Sequence, residues 1–217
     1  MIDTWADPSE ACAGRLWGEG GPDREGAPLS SWLLTTRDAF VAQAVAEVFR
    51  VDGPRRHRDE DGFEVVLGCD TVTVVVATAD SVLNRMVAGD GSSVPHICDG
   101  ERFVEPDASA ARPCSCPGAL SDRKAKGRSG AGPTPDCRLV FQLAAQPELG
   151  SFCFLSRSWE LALSLRSLHE EVGSRAPIVV DLTRRTSSMT TRSGMEVAFT
   201  TLVATAGREQ RSLGLAV

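Results

Sequence analysis

Four cysteines, Cys98, Cys114, Cys116 and Cys137, stand beside proline and glycine in the stretch from Pro95 to Leu139. Proline fixes φ and glycine permits tight turns, so loops of this kind let several thiolates converge on one point. Four thiolates around a Zn²⁺ ion is the commonest structural use of such a set. The spacing C-x15-C-x-C-x20-C is not that of a ribbon with two C-x2-C knuckles, and its middle C-x-C is the unusual part. The flanking segments 107–112 and 121–129 are strongly polar and offer no apolar core for a cysteine to fill. A long aperiodic excursion inside a compact chain needs a staple, a function or disorder to account for it.

The expectation is therefore a structural zinc site made by Cys98, Cys114, Cys116 and Cys137, within a cysteine-rich region over residues 95–138. Disulfides and free thiols remain open beside it, since buried cysteine also serves as a small apolar filler. His96 could replace one thiolate, although its two-residue offset from Cys98 reads more simply as a turn neighbour. Cys12, Cys69 and Cys153 are bystanders, and seven cysteines, an odd number, fit metal plus bystanders better than a disulfide framework.

The elements that must hold these residues can be read in order. Residues 1–27 carry six acids against two arginines, a balance of −4, with many glycines and prolines. They read as a flexible acidic arm, with Trp5 and Trp17 as features that could dock. A strand is expected over 29–34, then a helix over 37–51 capped by Thr35 or Thr36 and stopped by Gly53-Pro54. Residues 63–67 and 71–78 are valine-dense strands, read as a hairpin through Gly68-Cys69-Asp70. A short helix is expected over 80–87. Beyond the cysteines come strands over 138–144 and 150–155, and the clearest helix, Trp159–Val172, capped by Ser156 or Ser158 and stopped by Gly173. Strands over 177–182 and 195–204, bridged by a Thr/Ser/Arg-rich hairpin, close the chain. This predicts an α+β fold: an antiparallel-rich sheet, two main helices and a cysteine-rich, zinc-stapled loop insertion. Residues 28–217 read as a single domain.

Composition excludes several classes. No run of 18 apolar residues exists to span a membrane, and the start Met-Ile-Asp-Thr-Trp-Ala-Asp has no basic and apolar leader, so a cytoplasmic, reducing location is expected. The net charge is −6, which opposes unaided binding to duplex DNA. Arg123, Lys124, Lys126 and Arg128 against Asp122 give a local +3 that holds both lysines of the chain; such a stretch reads first as a solvated basic loop. There is no phosphate-binding glycine loop, no G-x-S-x-G elbow and no H-E-x-x-H. Three histidines are a thin inventory of general bases, and His169 is explained by the helix C-terminus nearby. An enzyme is not expected.

Several segments together carry a resemblance: Cys98-Asp-Gly-Glu-Arg, Pro113-Cys-Ser-Cys-Pro117, Asp136-Cys137-Arg-Leu-Val-Phe, Gly150-Ser-Phe-Cys-Phe-Leu-Ser before the Trp159 helix, and the Thr/Arg-rich hairpin before Met195-Glu-Val-Ala-Phe. In this order the chain resembles the recombination directionality factor-like family of actinophages and Streptomyces, over about residues 29–205. The resemblance implies a partner, a large serine integrase, that this protein would bind and switch from integration to excision. It implies contact with DNA only through that complex, no small-molecule substrate and no membrane. By position it carries over only the cysteine set. A zinc-containing nucleic-acid-binding accessory of phage replication is the alternative. A cysteine-dependent enzyme, with Cys114 or Cys116 activated by His96, is a third reading.

Overall fold

A computed structural model describes residues 11–19, 29–56, 62–88, 96–105, 109–130, 132–191 and 193–207. The strands are β1 (Gly14–Trp17), β2 (Leu33–Thr36), β3 (Arg55–Arg56), β4 (Phe63–Val66), β5 (Thr71–Val76) and β6 (Val82–Ala88). After them come β7 (His96–Cys98), β8 (Phe103–Glu105), β9 (Thr134–Leu143), β10 (Phe152–Ser156), β11 (Ile178–Thr190) and β12 (Glu196–Ala206). Together they form one sheet in the order β12-β11-β5-β9-β10-β1-β2-β4-β3, with β6, β7 and β8 branching from β9. Every pairing is antiparallel except β1 with β10. The α+β expectation holds at this level.

Among the described residues three α-helices accompany the sheet, where two main ones were expected: α1 (Ala39–Phe49), α2 (Leu120–Arg128) and α3 (Trp159–Arg175). α1 begins at Asp38, whose Oδ1 accepts from the backbone N–H of Phe40 and Val41, so the cap lies beyond the two threonines. α3 starts where expected, with Ser158 Oγ accepting from Leu161 N–H. It runs through Gly173 to Arg175, helped by the Arg175–Glu171 pair at 2.7 Å. Pro177, which disfavours helical backbone at Ala176 before it, ends the helix. α2 buries no side chain. A helix without an apolar stripe is invisible to periodicity, which is why 120–128 reads as a loop in the sequence.

The core lies where α3 covers the sheet. Alternate residues of β9, Pro135, Cys137, Leu139, Phe141 and Leu143, are buried; this is the period of two that a half-covered strand requires. Leu161, Leu165, Leu168 and Val172 of α3 are buried in the same cluster. Trp32 lies fully buried, edge-on to Phe154 with ring centroids 5.4 Å apart, and its indole N–H donates to the carbonyl of Asp70.

Three further expectations are corrected. Residues 14–17 of the supposed arm are the strand β1, with Leu16 wholly buried and the Trp17 indole N–H donating to Thr35 Oγ1. Residues 1–10 and 20–27, Trp5 among them, lie outside the described residues. β4 and β5 are not a hairpin: the turn at Gly68 (φ +64°) sends β4 to β2 and β3, and β5 to β9 and β11. The segment 80–87 is the strand β6 after a 3-10 turn, because pairing with β9 along Val82–Val87 overrides its helical propensity.

Arg85 of β6 is 5% exposed and bonds Glu105 of β8 and Asp136 of β9, each at 2.9 Å. This charge network ties the β6–β8 branch to the main sheet. Removing one partner of a buried pair typically costs about 3–5 kcal/mol. Here both carboxylates are about a quarter exposed, and Asp136 keeps Arg138. Arg85→Ala is therefore expected to cost about 2–3 kcal/mol, read as a lowered midpoint in urea denaturation. An unchanged midpoint would mean that solvent screens the network.

Candidate metal centre

The β6–β8 branch carries the first two candidate ligands. β7 pairs with β6, setting His96 opposite Ala88 and Cys98 opposite Met86. Residues i and i+2 of a strand point to one face, so His96 and Cys98 project together. Asp99 to Arg102 then form a tight turn. Asp99 Oδ1 accepts from Glu101 and Arg102 N–H, both at 2.7 Å, and Gly100 takes φ +97°. Those amides, with Arg166 nearby, outweigh partial burial and hold the Asp99 carboxyl below its ordinary range.

The second knuckle is fastened to the first. Cys114 N–H donates to the Glu101 carbonyl at 2.9 Å, and Arg102 bridges to Pro113. Cys116 follows two residues later, and α2 then locks the segment, since Arg123 donates to the carbonyls of Pro117 and Gly118. The Arg123 guanidinium lies against Gly100, where the positive φ calls for glycine. Arg123 thus joins the turn after Cys98 to the turn after Cys116.

As a result, one ligand atom from each of His96, Cys98, Cys114 and Cys116 lies within 4.8 Å of the others. Cys116 Sγ is 3.5 Å from Cys98 Sγ and 3.4 Å from His96 Nε2. Zn–S bonds of about 2.3 Å and Zn–N bonds of about 2.0 Å in a tetrahedron place ligand atoms roughly 3.5–3.8 Å apart. The donor set therefore fits a tetrahedral Cys₃His site. The cysteines are free thiols, and 3.5 Å is far beyond the roughly 2.05 Å of an S–S bond. The His96 ring packs on Phe103 with centroids 4.6 Å apart. Beside it, His96 and Cys116 line a small hollow with Lys126 and Pro133.

Burial pushes the Cys98 and Cys116 thiols upward, and each lies near its neighbouring cysteines. Raised thiol pKa values favour the neutral form of Cys98 and Cys116. A divalent cation among them would reverse that balance.

Cys137 is not brought to this group. It sits in β9 opposite Ser156 and Asn84, 1% exposed, with its thiol 3.7 Å from Asn84 Oδ1. Burial, then the adjacent Asp136, pushes its pKa up to about 12. It is the small core residue that the four-cysteine reading set aside. His96, considered and passed over in the sequence, stands in its place, because 96–98 is a strand and not a turn.

The basic stretch 123–128 is half consumed internally: Arg123 clamps the Cys116 knuckle, and Lys124 pairs with Glu160 at 2.8 Å. Lys126 and Arg128 remain exposed. No helix among the described residues is long and apolar enough to cross a membrane.

Compared with known proteins, residues 17–205 match the Gp3-like family, described as recombination directionality factor-like. No solved structure matches the chain.

Proposed function

This chain belongs to the recombination directionality factor-like family, and we propose from that premise that it binds a large serine integrase and turns it from integration to excision. The family match over residues 17–205 is the observation that carries the reading. The role requires no bond-making by this chain. It requires unequal affinity for two arrangements of the integrase–DNA complex, since a partner that bound both equally would shift nothing. A difference of about 3 kcal/mol shifts the ratio of productive complexes roughly a hundredfold.

His96, Cys98, Cys114 and Cys116 would hold a structural Zn²⁺, whose contribution when bound is to neutralise the thiolates and cross-link the two knuckles. The chain's own residues do the rest: Arg123 joins the knuckles, and the Arg85 network ties their branch to the sheet. On this reading residues 96–105 and 109–130 form a lobe with no catalytic part, in a protein of the cytoplasm.

The alternative, a zinc-containing nucleic-acid-binding accessory, rests on the basic helix α2. Two of its four cations are already engaged and the chain carries −6, so few phosphates could be neutralised. In vitro plasmid recombination with purified cognate integrase separates the readings. Adding this chain should promote recombination between the hybrid product sites and suppress it between the phage and host sites. If neither direction responds across a range of stoichiometries, the switching role fails. Tight sequence-specific gel shifts by the chain alone would favour the accessory.

A further inference from the structure

Beyond Thr183, β11 leaves the sheet. β5 pairs with β11 only along Ile178–Thr183, whereas β12 stays paired to it as far as Thr190 opposite Glu196. The outer part of these strands is thus a two-stranded ribbon, about 20 Å long at roughly 3.3 Å per residue. Its hydrophobic alternation reverses phase where it leaves the body. Within the sheet, Val180 and Leu182 with their neighbours Leu202 and Ala204 face the core and are buried. On the ribbon those same alternate positions become Thr186, Ser188 and Thr190 opposite Thr200, Ala198 and Glu196. The apolar residues move to the opposite, solvent-facing side: Met189 beside Val197, and Phe199 beside Ser187.

Met189, Met195 and Phe199 are 54%, 61% and 44% exposed. A strand keeps one hydrophobic face against one core. A strand that changes face partway along is shaped to meet two different surfaces, and only one of them belongs to this chain.

We propose that this outer ribbon face is the surface by which the chain grips its protein partner, entering an apolar groove that carries a carboxylate at its mouth. The inference rests on the directionality reading and names the contact surface that reading needs. Charge argues for the groove's chemistry. Arg185 shares the apolar face, opposite Thr201, is exposed, and makes no ion pair among the described residues. Glu196 lies on the other face. Among the described residues, the gripping side is therefore apolar with Arg185 at its foot and no anion beyond it.

Area argues against a second copy of this chain. About half of three large side chains is on the order of 300 Å², whereas a stable interface needs about 800 Å² per partner. A flat self-pairing through this face is too small. A groove that also covers the ribbon's polar side and edges makes up the difference. A duplex groove would call for many flanking cations, and the segment 185–199 carries only Arg185 and Arg192 against Glu196.

The test uses the full chain and its cognate large serine integrase, both purified. Phe199→Ser combined with Met189→Ser should weaken integrase binding at least tenfold and abolish the switch in recombination direction, and Arg185→Glu should weaken binding several-fold. Thermal unfolding of these variants should match the parent, because the substituted side chains are exposed. Thr186→Ala with Ser188→Ala, on the opposite face, should bind within about twofold of the parent. A photo-crosslinking amino acid at position 199 should join to the integrase. If the parent binds and the Phe199/Met189 variant binds equally well, the ribbon assignment is overturned while the directionality reading stands. If the parent itself does not bind the integrase, both fall. Crosslinks from position 199 to DNA or to a second copy of the chain also overturn the assignment.

Discussion

Purified from zinc-replete cells, the chain should carry about one equivalent of zinc, and Cys116→Ser should lower its zinc affinity at least a hundredfold. Cys116 is the hub of the group, with Cys98 Sγ at 3.5 Å and His96 Nε2 at 3.4 Å. A structural site has four ligands and no spare position. Losing Cys116 leaves only His96, Cys98 and Cys114 to hold the ion. The discriminating pair is His96→Ala against Cys137→Ser. The first should lose zinc and the second should keep it, since Cys137 lies in the core beside Asn84. Chelation should speed hydrogen exchange along β7, β8 and residues 114–118, and leave α3 and β11 protected. Zinc content read by atomic absorption decides the matter. Loss of zinc from Cys137→Ser together with its retention in His96→Ala would restore the four-cysteine set.

Arg184→Met should destabilise the whole protein by about 3 kcal/mol, a large share of the roughly 5–15 kcal/mol that holds a domain together. Arg184 is 3% exposed, and among the described residues its guanidinium has no carboxylate within bonding distance, Glu19 being its nearby charge. It donates instead to the carbonyls of Gly18, Leu29 and Ser30 and to Thr200 Oγ1. Methionine would relieve the burial of a charge, which is favourable, but would leave the buried carbonyls of Gly18 and Leu29 without donors and would take one from Ser30. Each such orphan costs about 1–3 kcal/mol, so the loss outweighs the relief. Arg184→Lys should recover only part of the stability, because a single ammonium cannot present the planar fork that reaches acceptors on separate segments. Chemical denaturation of the three proteins measures this. A methionine variant as stable as the parent would show that the carbonyls find other donors.

What was legible in the sequence follows from what each signal measures. Period-two and period-3.6 patterns report burial, so β5, β9, β10 and α3 could be read from their apolar spacing. α2 buries nothing and left no such trace. β6 was mistaken because Ser-Val-Leu-Asn-Arg-Met-Val-Ala is locally suited to a helix, and only its distant pairing with β9 decides otherwise. Three of the four cysteines read from the sequence stand in the His/Cys group that the structure brings together. Cys137 was drawn in by its Pro-Asp prefix, which looks like a loop yet lies inside β9. The clue to His96 was present: H-x-C and C-x-C share the i, i+2 offset that a strand converts into a common face. Arg184 could not have been found, since an arginine in a Thr/Ser-rich hairpin looks solvated until the segments around Gly18 and Ser30 close over it.

The place of β1 bears on how this protein is made. β1 lies between β10 and β2, so β2, β4 and β3 reach the rest of the sheet only across it. Its register with β10 sets Gly14 beside Phe152, one near the start of the chain and the other far along it. A ribosome releases β1 early, but its neighbour emerges only after most of the chain has been synthesised. Until then the β2–β4 unit has no strand ladder to β10; its link to β5 is the short turn around Gly68, to which Trp32 and Ser31 are bonded. Closing so long a loop costs entropy before any contact rewards it, and pairings of this kind slow folding. β1 thus waits for a partner strand that lies far along the chain, beyond residue 150. Nascent chains halted before residue 152 should leave Trp17 and Leu16 open to chaperones. An affinity tag fused close to Gly14 would burden assembly far more than the same tag placed after Gly207.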